Sequence, residues 1–122
     1  MHVPARPCIL IVDDDAAFRE LYRSALRFEG FQVLTASDGV EALRLLEGCT
    51  PALVILDINM PCLDGWSVLQ ELRAHSDTEA IPVIVVTGAD VSRAAERVVT
   101  VLRKPVTPEE IMPVIQRQLH TV

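Results

Sequence analysis

Nowhere does this 122-residue chain run through the ~20 uninterrupted apolar residues of a membrane span, although half of it is apolar. The opening "MHVPARPC" has no apolar stretch ahead of the first strand and does not read as a secretory signal, while the cysteine usage is that expected of a cytoplasmic protein. A basic run is also lacking. With 11 Lys and Arg against 17 Asp and Glu, the formal charge of −6 argues against direct nucleic-acid binding, which needs cations to neutralise phosphates. Cysteine is scarce: Cys8, Cys49 and Cys62 form no CxxC and have no companion histidine cluster. They read as reduced thiols, not as a disulfide framework or a zinc site. His2, His75 and His120 have no partners at ligand spacing and read as surface residues. Linkers, repeats and low-complexity segments are missing too. Residues 8–122 read as one domain, and residues 1–7, with two prolines, as a short flexible tail.

What is present alternates from end to end. "CILIV" (8–12) is a short apolar run rich in β-branched residues, a buried strand. "AAFRELYRSALRFEG" then sets Phe18, Leu21, Tyr22, Ala25 and Phe28 at helical spacing, with Gly30 as its stop. "FQVLTA" (31–36) is a second strand, and "SDGVEALRLLEG" a helix capped by Ser37 or Asp38. "ALVILD" (52–57), "WSVLQELRAH" (66–75) and "IPVIVVTG" (81–88) follow as strand, helix and strand, with Pro82 tolerable only near the strand's beginning. Residues 89–99 read as a weak helix and "TVLRK" (100–104) as a fifth strand. "TPEEIMPVIQRQL" starts a helix with Thr107 as cap, Pro108 at the first position and Glu110 completing a capping box, and Pro113 is expected to bend it. Five βα units whose strands are apolar on both faces predict a single doubly wound α/β domain. Its five-stranded parallel sheet has helices on both faces.

Strand carboxyl ends share one edge in such a fold, and ligands bind in the crevice there. Asp13 and Asp14 end the first strand, Asp57 the third, Thr87 the fourth and Lys104 the fifth. Each alone has an ordinary explanation: a helix cap (the reading given to Asp15), a β-branched strand residue, an edge lysine. Their convergence on one edge is what points to chemistry. Clustered carboxylates raise one another's pKa unless a divalent cation screens them. A few carboxylate oxygens favour magnesium, which keeps waters and bridges to phosphoryl oxygens. Asp57 can then act as a nucleophile toward a phosphoryl group, ionised at neutral pH without a general base, while Lys104 neutralises the equatorial oxygens.

The blocks "ILIVDDD", "LVILDINMPCLDGWSVLQELR", "IPVIVVTG" and "LRKPVT" make residues 8–120 resemble the receiver domain of two-component response regulators, a flavodoxin-like fold. The resemblance implies that Asp57 is phosphorylated by a histidine kinase or phosphotransfer protein. It implies that Asp13 and Asp14 hold magnesium with Asp57 and the backbone carbonyl of Asn59. Thr87 would be the switch hydroxyl and Lys104 the salt-bridge partner of the phosphoryl group, and the Lys104–Pro105 peptide would be cis. It implies a signalling domain that catalyses only its own phosphorylation and dephosphorylation, and that regulates an output domain or a downstream protein.

Two departures concern output. Val101 stands where the family usually has Tyr or Phe, so the aromatic switch is absent. The Thr87–Lys104 segment is short, with Arg97 and Val98 in place of the usual Gly-Ala pair, which predicts a stunted or irregular fourth helix. Gly88 is small, as the family requires, and Asn59 and Ala89 flank the site without adding an acid. Cys62, in the phosphoacceptor loop, reads as an ordinary thiol and Trp66 as packing. The competing reading is a phosphorylation-independent interaction module on the same fold. A magnesium-dependent phosphohydrolase is disfavoured, because Asn59 replaces its second acid and no capping insertion exists.

Overall fold

Side chains alternate along β1 (Cys8–Val12), sending Ile9 and Ile11 to one face and Leu10 and Val12 to the other, and all four are buried. A strand apolar on both faces belongs inside a parallel sheet covered on each side. The structure, a computed structural model, describes residues 6–60, 62–88 and 100–119. Here β1 joins β2 (Gln32–Ala36), β3 (Leu53–Leu56), β4 (Val83–Thr87) and β5 (Thr100–Arg103) in one parallel sheet of order β2-β1-β3-β4-β5. The expected doubly wound, flavodoxin-like α/β architecture is what forms.

The described helices are α1 (Ala16–Phe28), α2 (Gly39–Gly48), α3 (Gly65–Ala74) and α4 (Pro108–Leu119). On one face Tyr22 and Leu26 of α1 and Ile111 and Ile115 of α4 pack on Ile9, Ile11, Leu53, Ile55, Ile84 and Val86. On the other, Ala42 of α2 and Trp66, Val68, Leu69 and Leu72 of α3 pack on Leu10, Val12, Val54, Leu56, Val83 and Val85. Each of these Leu, Ile and Val side chains contributes about 1.5–3 kcal/mol on burial, so the paired cores hold the sheet edge rigid. Trp66 is a core residue, as expected.

Caps place the helix starts. One Asp15 oxygen accepts the N–H groups of Ala17 (2.9 Å) and Phe18 (3.3 Å). Asp38, rather than Ser37, caps α2 through the Glu41 N–H at 2.8 Å, and Asp64 caps α3 through the Ser67 N–H at 2.9 Å. The Thr107 hydroxyl accepts from the Glu110 N–H at 3.2 Å and lies 3.2 Å from the Glu110 carboxylate. Gly30 takes φ +98 just beyond α1, the left-handed stop its position suggested. α4 runs through Pro113 to Leu119.

β4 begins at Val83, not Ile81, because Pro82 has no N–H for the ladder; its carbonyl still accepts the Val54 N–H at 3.0 Å. The weak helix expected over 89–99 lies outside the described residues, as do His2, His120, Ala89 and residues 1–5 of the expected tail. His75 is exposed, 3.0 Å from Glu71. No helix among the described residues is long and apolar enough to cross a membrane. The three cysteines are free thiols. Burial, and then the neighbouring Cys49, push the Cys8 thiol pKa up.

Candidate functional site

The strand order reverses beside β1: the chain steps to β2 on one side and later to β3 on the other. That leaves a crevice at the carboxyl ends of β1 and β3. Asp13 follows β1, and Asp57 follows β3. The Asp57 N–H donates to the Val12 carbonyl at 2.9 Å and the Asp13 N–H to that of Ala36 at 3.1 Å, so backbone bonds fix both residues in register. Asp13 is 1% and Asp57 5% exposed, while Asp14 beside them is open to solvent. One carboxylate oxygen of each of Asp13, Asp14 and Asp57 lies within 4.8 Å of the others.

Lys104 enters this cluster from the end of β5. Its Nζ lies 2.8 Å from Asp13 Oδ2 and 3.7 Å from Asp57 Oδ2. The other Asp13 oxygen accepts the Asp15 N–H at 2.9 Å, and Asp57 Oδ1 accepts the Asn59 N–H at 3.3 Å. Thr87, the last residue of β4, is fully buried at the same edge, and its carbonyl accepts the Lys104 N–H at 3.0 Å. The Lys104–Pro105 peptide is cis, as the resemblance implied. Val101 packs against the α2–α3 core.

Burial pushes the Asp13 carboxyl pKa up, and the charge of Asp57 adds to this; the bonds from Lys104 and the Asp15 N–H pull the other way. Burial works against the Lys104 ammonium, but its bond to Asp13 and the charges of Asp13, Asp57 and Asp15 outweigh it, so its pKa is raised. Three carboxylates against one ammonium leave −3 + 1 = −2 at the crevice. Hard oxygen donors, two buried and one exposed, with two uncompensated charges, suit a hard divalent cation.

The loop after Asp57 is held by close packing. A Cβ on Gly65 would collide with the Asp57 carbonyl oxygen and come within 2.7 Å of Ile58 Cα, so only glycine lets α3 start this close to β3. The Gly65 N–H donates to the Ile58 carbonyl at 3.0 Å. Cys62, exposed in the same loop, takes φ +69, a conformation costly for a side-chain-bearing residue.

Three further residues reach the site. Arg19 donates to the Asp13 carbonyl at 2.7 Å. The Phe18 ring centroid lies 4.6 Å from Lys104 Nζ, and Phe18 stacks on Tyr22 at 4.1 Å and 18°. The sequence set Phe18 and Tyr22 at helical spacing with Leu21, Ala25 and Phe28, of which Leu21 and Phe28 prove exposed. That spacing identifies a helix but not what lies above each side chain.

The geometry is an acidic crevice with one lysine at the switch point of a doubly wound sheet. Residues 9–116 match the model of the response regulator receiver domain. Response regulator MprA of Mycobacterium sp. (strain KMS) is 42% identical over 111 residues, 85% of this chain and 46% of that protein. The probable transcriptional regulator ycf27 of Porphyridium aerugineum is 36% identical over 121 residues, 93% of this chain and 48% of that protein. Among solved structures, the chemotaxis protein CheY4 of Vibrio cholerae superposes with a TM-score of 0.87 at 29% identity, covering 94% of this chain and all of that one. A CheY-like receiver domain protein from Methanospirillum hungatei JF-1 gives 0.86 at 30% identity and covers 94% of each chain.

The chain belongs to the response regulator receiver domain family: it is a receiver domain of two-component signalling. It spans about half the length of the curated relatives it matches. One of them is named a probable transcriptional regulator, which stands against the expectation, drawn from charge, of no direct nucleic-acid binding.

Proposed function

We propose that Asp57 accepts a phosphoryl group from a histidine kinase or phosphotransfer protein, and that the acceptance depends on magnesium. The observation that carries this reading is the position of Asp57, 5% exposed at the switch point, sharing its crevice with two carboxylates and an ammonium 3.7 Å away. An Asp57 carboxylate oxygen attacks phosphorus. The bond from phosphorus to the donor's nitrogen or oxygen breaks, and its electron pair leaves with the donor. Asp13, Asp14 and Asp57, with the Asn59 backbone carbonyl, would hold the magnesium, which when bound supplies charge neutralisation at the transferring oxygens. Lys104, with Nζ 3.7 Å from Asp57 Oδ2, supplies further positive charge there, and its raised pKa keeps it charged at neutral pH. The Thr87 hydroxyl closes on the phosphoryl group.

In this reading residues 8–122 act as one receiver unit behind a short tail, in the cytoplasm. The unit turns over no substrate beyond its own phosphorylation and dephosphorylation. About −1.5 to −2 of added charge on Asp57 biases a two-state surface read by an output domain or a downstream protein. No observation favours the phosphorylation-independent module: the acidic set and Lys104 share one crevice, and residues 89–99 of the shortened segment it rested on lie outside the described residues. Intact mass after incubation with magnesium and acetyl phosphate is the test, beside Asp57→Asn. An adduct on the wild type alone supports the reading. No adduct, together with no spectral response to magnesium and beryllofluoride, rejects it.

A further inference from the structure

A lysine side chain is a point charge on a flexible four-carbon stem, so one ion pair does not hold it in a single place. Lys104 has Asp13 at 2.8 Å and Asp57 at 3.7 Å, and a third neighbour of different chemistry: the face of Phe18, 4.6 Å from Nζ. An aromatic face attracts a cation at this range, the more so when water is partly excluded, and the Lys104 side chain is only 26% exposed.

The ring itself is fixed from behind. Phe18 stacks on Tyr22, which is fully buried and donates its hydroxyl to the Val106 carbonyl. Val106 lies two residues after Lys104, so the contacts close on themselves: Lys104 to Phe18, Phe18 to Tyr22, Tyr22 to Val106, and Val106 back along the chain to Lys104. A shift of the Lys104 ammonium therefore changes its contact with a ring that is tied, through Tyr22, to the segment that leads into α4. Val101 has no ring to supply another aromatic route, and packs on the opposite face of the sheet.

We propose that Phe18 is the positioning residue for the Lys104 ammonium, and that the Phe18–Tyr22 stack carries a change at Asp57 to the Val106 segment and the start of α4. The inference rests on the phosphoacceptor reading of Asp57. Lys104 sits nearer Asp13 than Asp57, so negative charge arriving on Asp57 draws the ammonium across, and the ring and Val106 follow. Burial, then the charges of Glu110 and Glu109, push the Tyr22 hydroxyl pKa well up, so it remains a donor to Val106 throughout the physiological range.

The test is NMR of the whole chain with magnesium, before and after beryllofluoride, together with phosphorylation by acetyl phosphate. In the wild type the Lys104 ε-methylene protons should be shifted upfield by the ring, and beryllofluoride should move them and the Val106 amide together. Phe18→Leu, which keeps an apolar side chain but loses the ring face, should abolish the upfield shift and lower the phosphorylation rate by roughly five- to thirty-fold. It should also uncouple Val106 from beryllofluoride. Phe18→Tyr should restore all three. A wild-type Lys104 without the ring shift, or a Phe18→Leu protein phosphorylated at the wild-type rate with Val106 still responding, overturns the inference while leaving Asp57 as acceptor. A wild type that takes no phosphoryl group and ignores beryllofluoride overturns the underlying reading instead.

Discussion

Lys104 Nζ meets Asp13 Oδ2 at 2.8 Å across 91 residues of chain, the shortest ion pair among the described residues, and it joins the first strand of the sheet to the last. It leaves the crevice with two uncompensated negative charges, and from that imbalance the behaviour of the site follows.

Magnesium should stabilise the fold, because three carboxylates at this spacing exist only in the folded state. At a hundredfold excess over Kd the gain is about 2.7 kcal/mol, visible as a raised Tm. Asp14→Asn removes one like charge at an exposed position. It should raise stability without magnesium by about 0.5 kcal/mol and abolish the response to it. A melting temperature indifferent to millimolar magnesium in the wild type would contradict the metal site.

Lys104→Met leaves Asp13 buried without its counter-charge. The expected loss at neutral pH is about 2 kcal/mol, less than for a fully buried pair because Lys104 is partly exposed. The folded Lys104 pKa lies above its unfolded value of 10.5, so its contribution is complete below pH 10.5. As pH rises through the folded value, the folded state releases the proton that the unfolded state has already lost, and the contribution goes. The stability gap between wild type and Lys104→Met, measured by urea unfolding in steps up to about pH 11.5, should therefore narrow at the alkaline end. The raised Tyr22 hydroxyl affects both proteins alike and cancels.

Gly65→Ala should be the costliest small substitution in the loop. Its Cβ meets backbone atoms of Asp57 and Ile58, which cannot swing aside as a side chain does. A loss of about 2–4 kcal/mol in urea unfolding is expected, with weaker magnesium binding as the Asp57 loop is pushed out. A near-neutral result would mean that α3 shifts freely relative to β3.

Cys62→Gly should act in the opposite direction. At φ +69 a side chain costs roughly 1–2 kcal/mol, whereas the extra unfolded-state freedom of glycine costs about 0.5–1 kcal/mol. Thermal melting should show a net gain of about 0.5–1 kcal/mol, and a loss would show that the thiol makes contacts that offset its strain.

Burial accounts for what could be read in advance. Runs such as "CILIV" and "LVIL" are too apolar for anything but an interior strand, and each strand's last apolar residue marks where the polar edge begins. The sequence pattern alone therefore puts Asp13, Asp57 and Thr87 at one edge. Caps were legible for a similar reason: Asp15, Asp38 and Thr107 satisfy donors within three residues, a purely local event. Element ends were less legible, as at Pro82, where a missing N–H shortened β4.

The sequence by itself determined the fold class, the sheet edge and the residue types gathered there, because periodicity and capping act over a few residues. Only the tertiary structure decided that Lys104 lies against Asp13 more closely than Asp57, that Phe18 faces that lysine, and that Cys8 sits beside Cys49. Those contacts join residues far apart in the chain, and their distances depend on how two helix layers settle on the sheet, which no local pattern specifies.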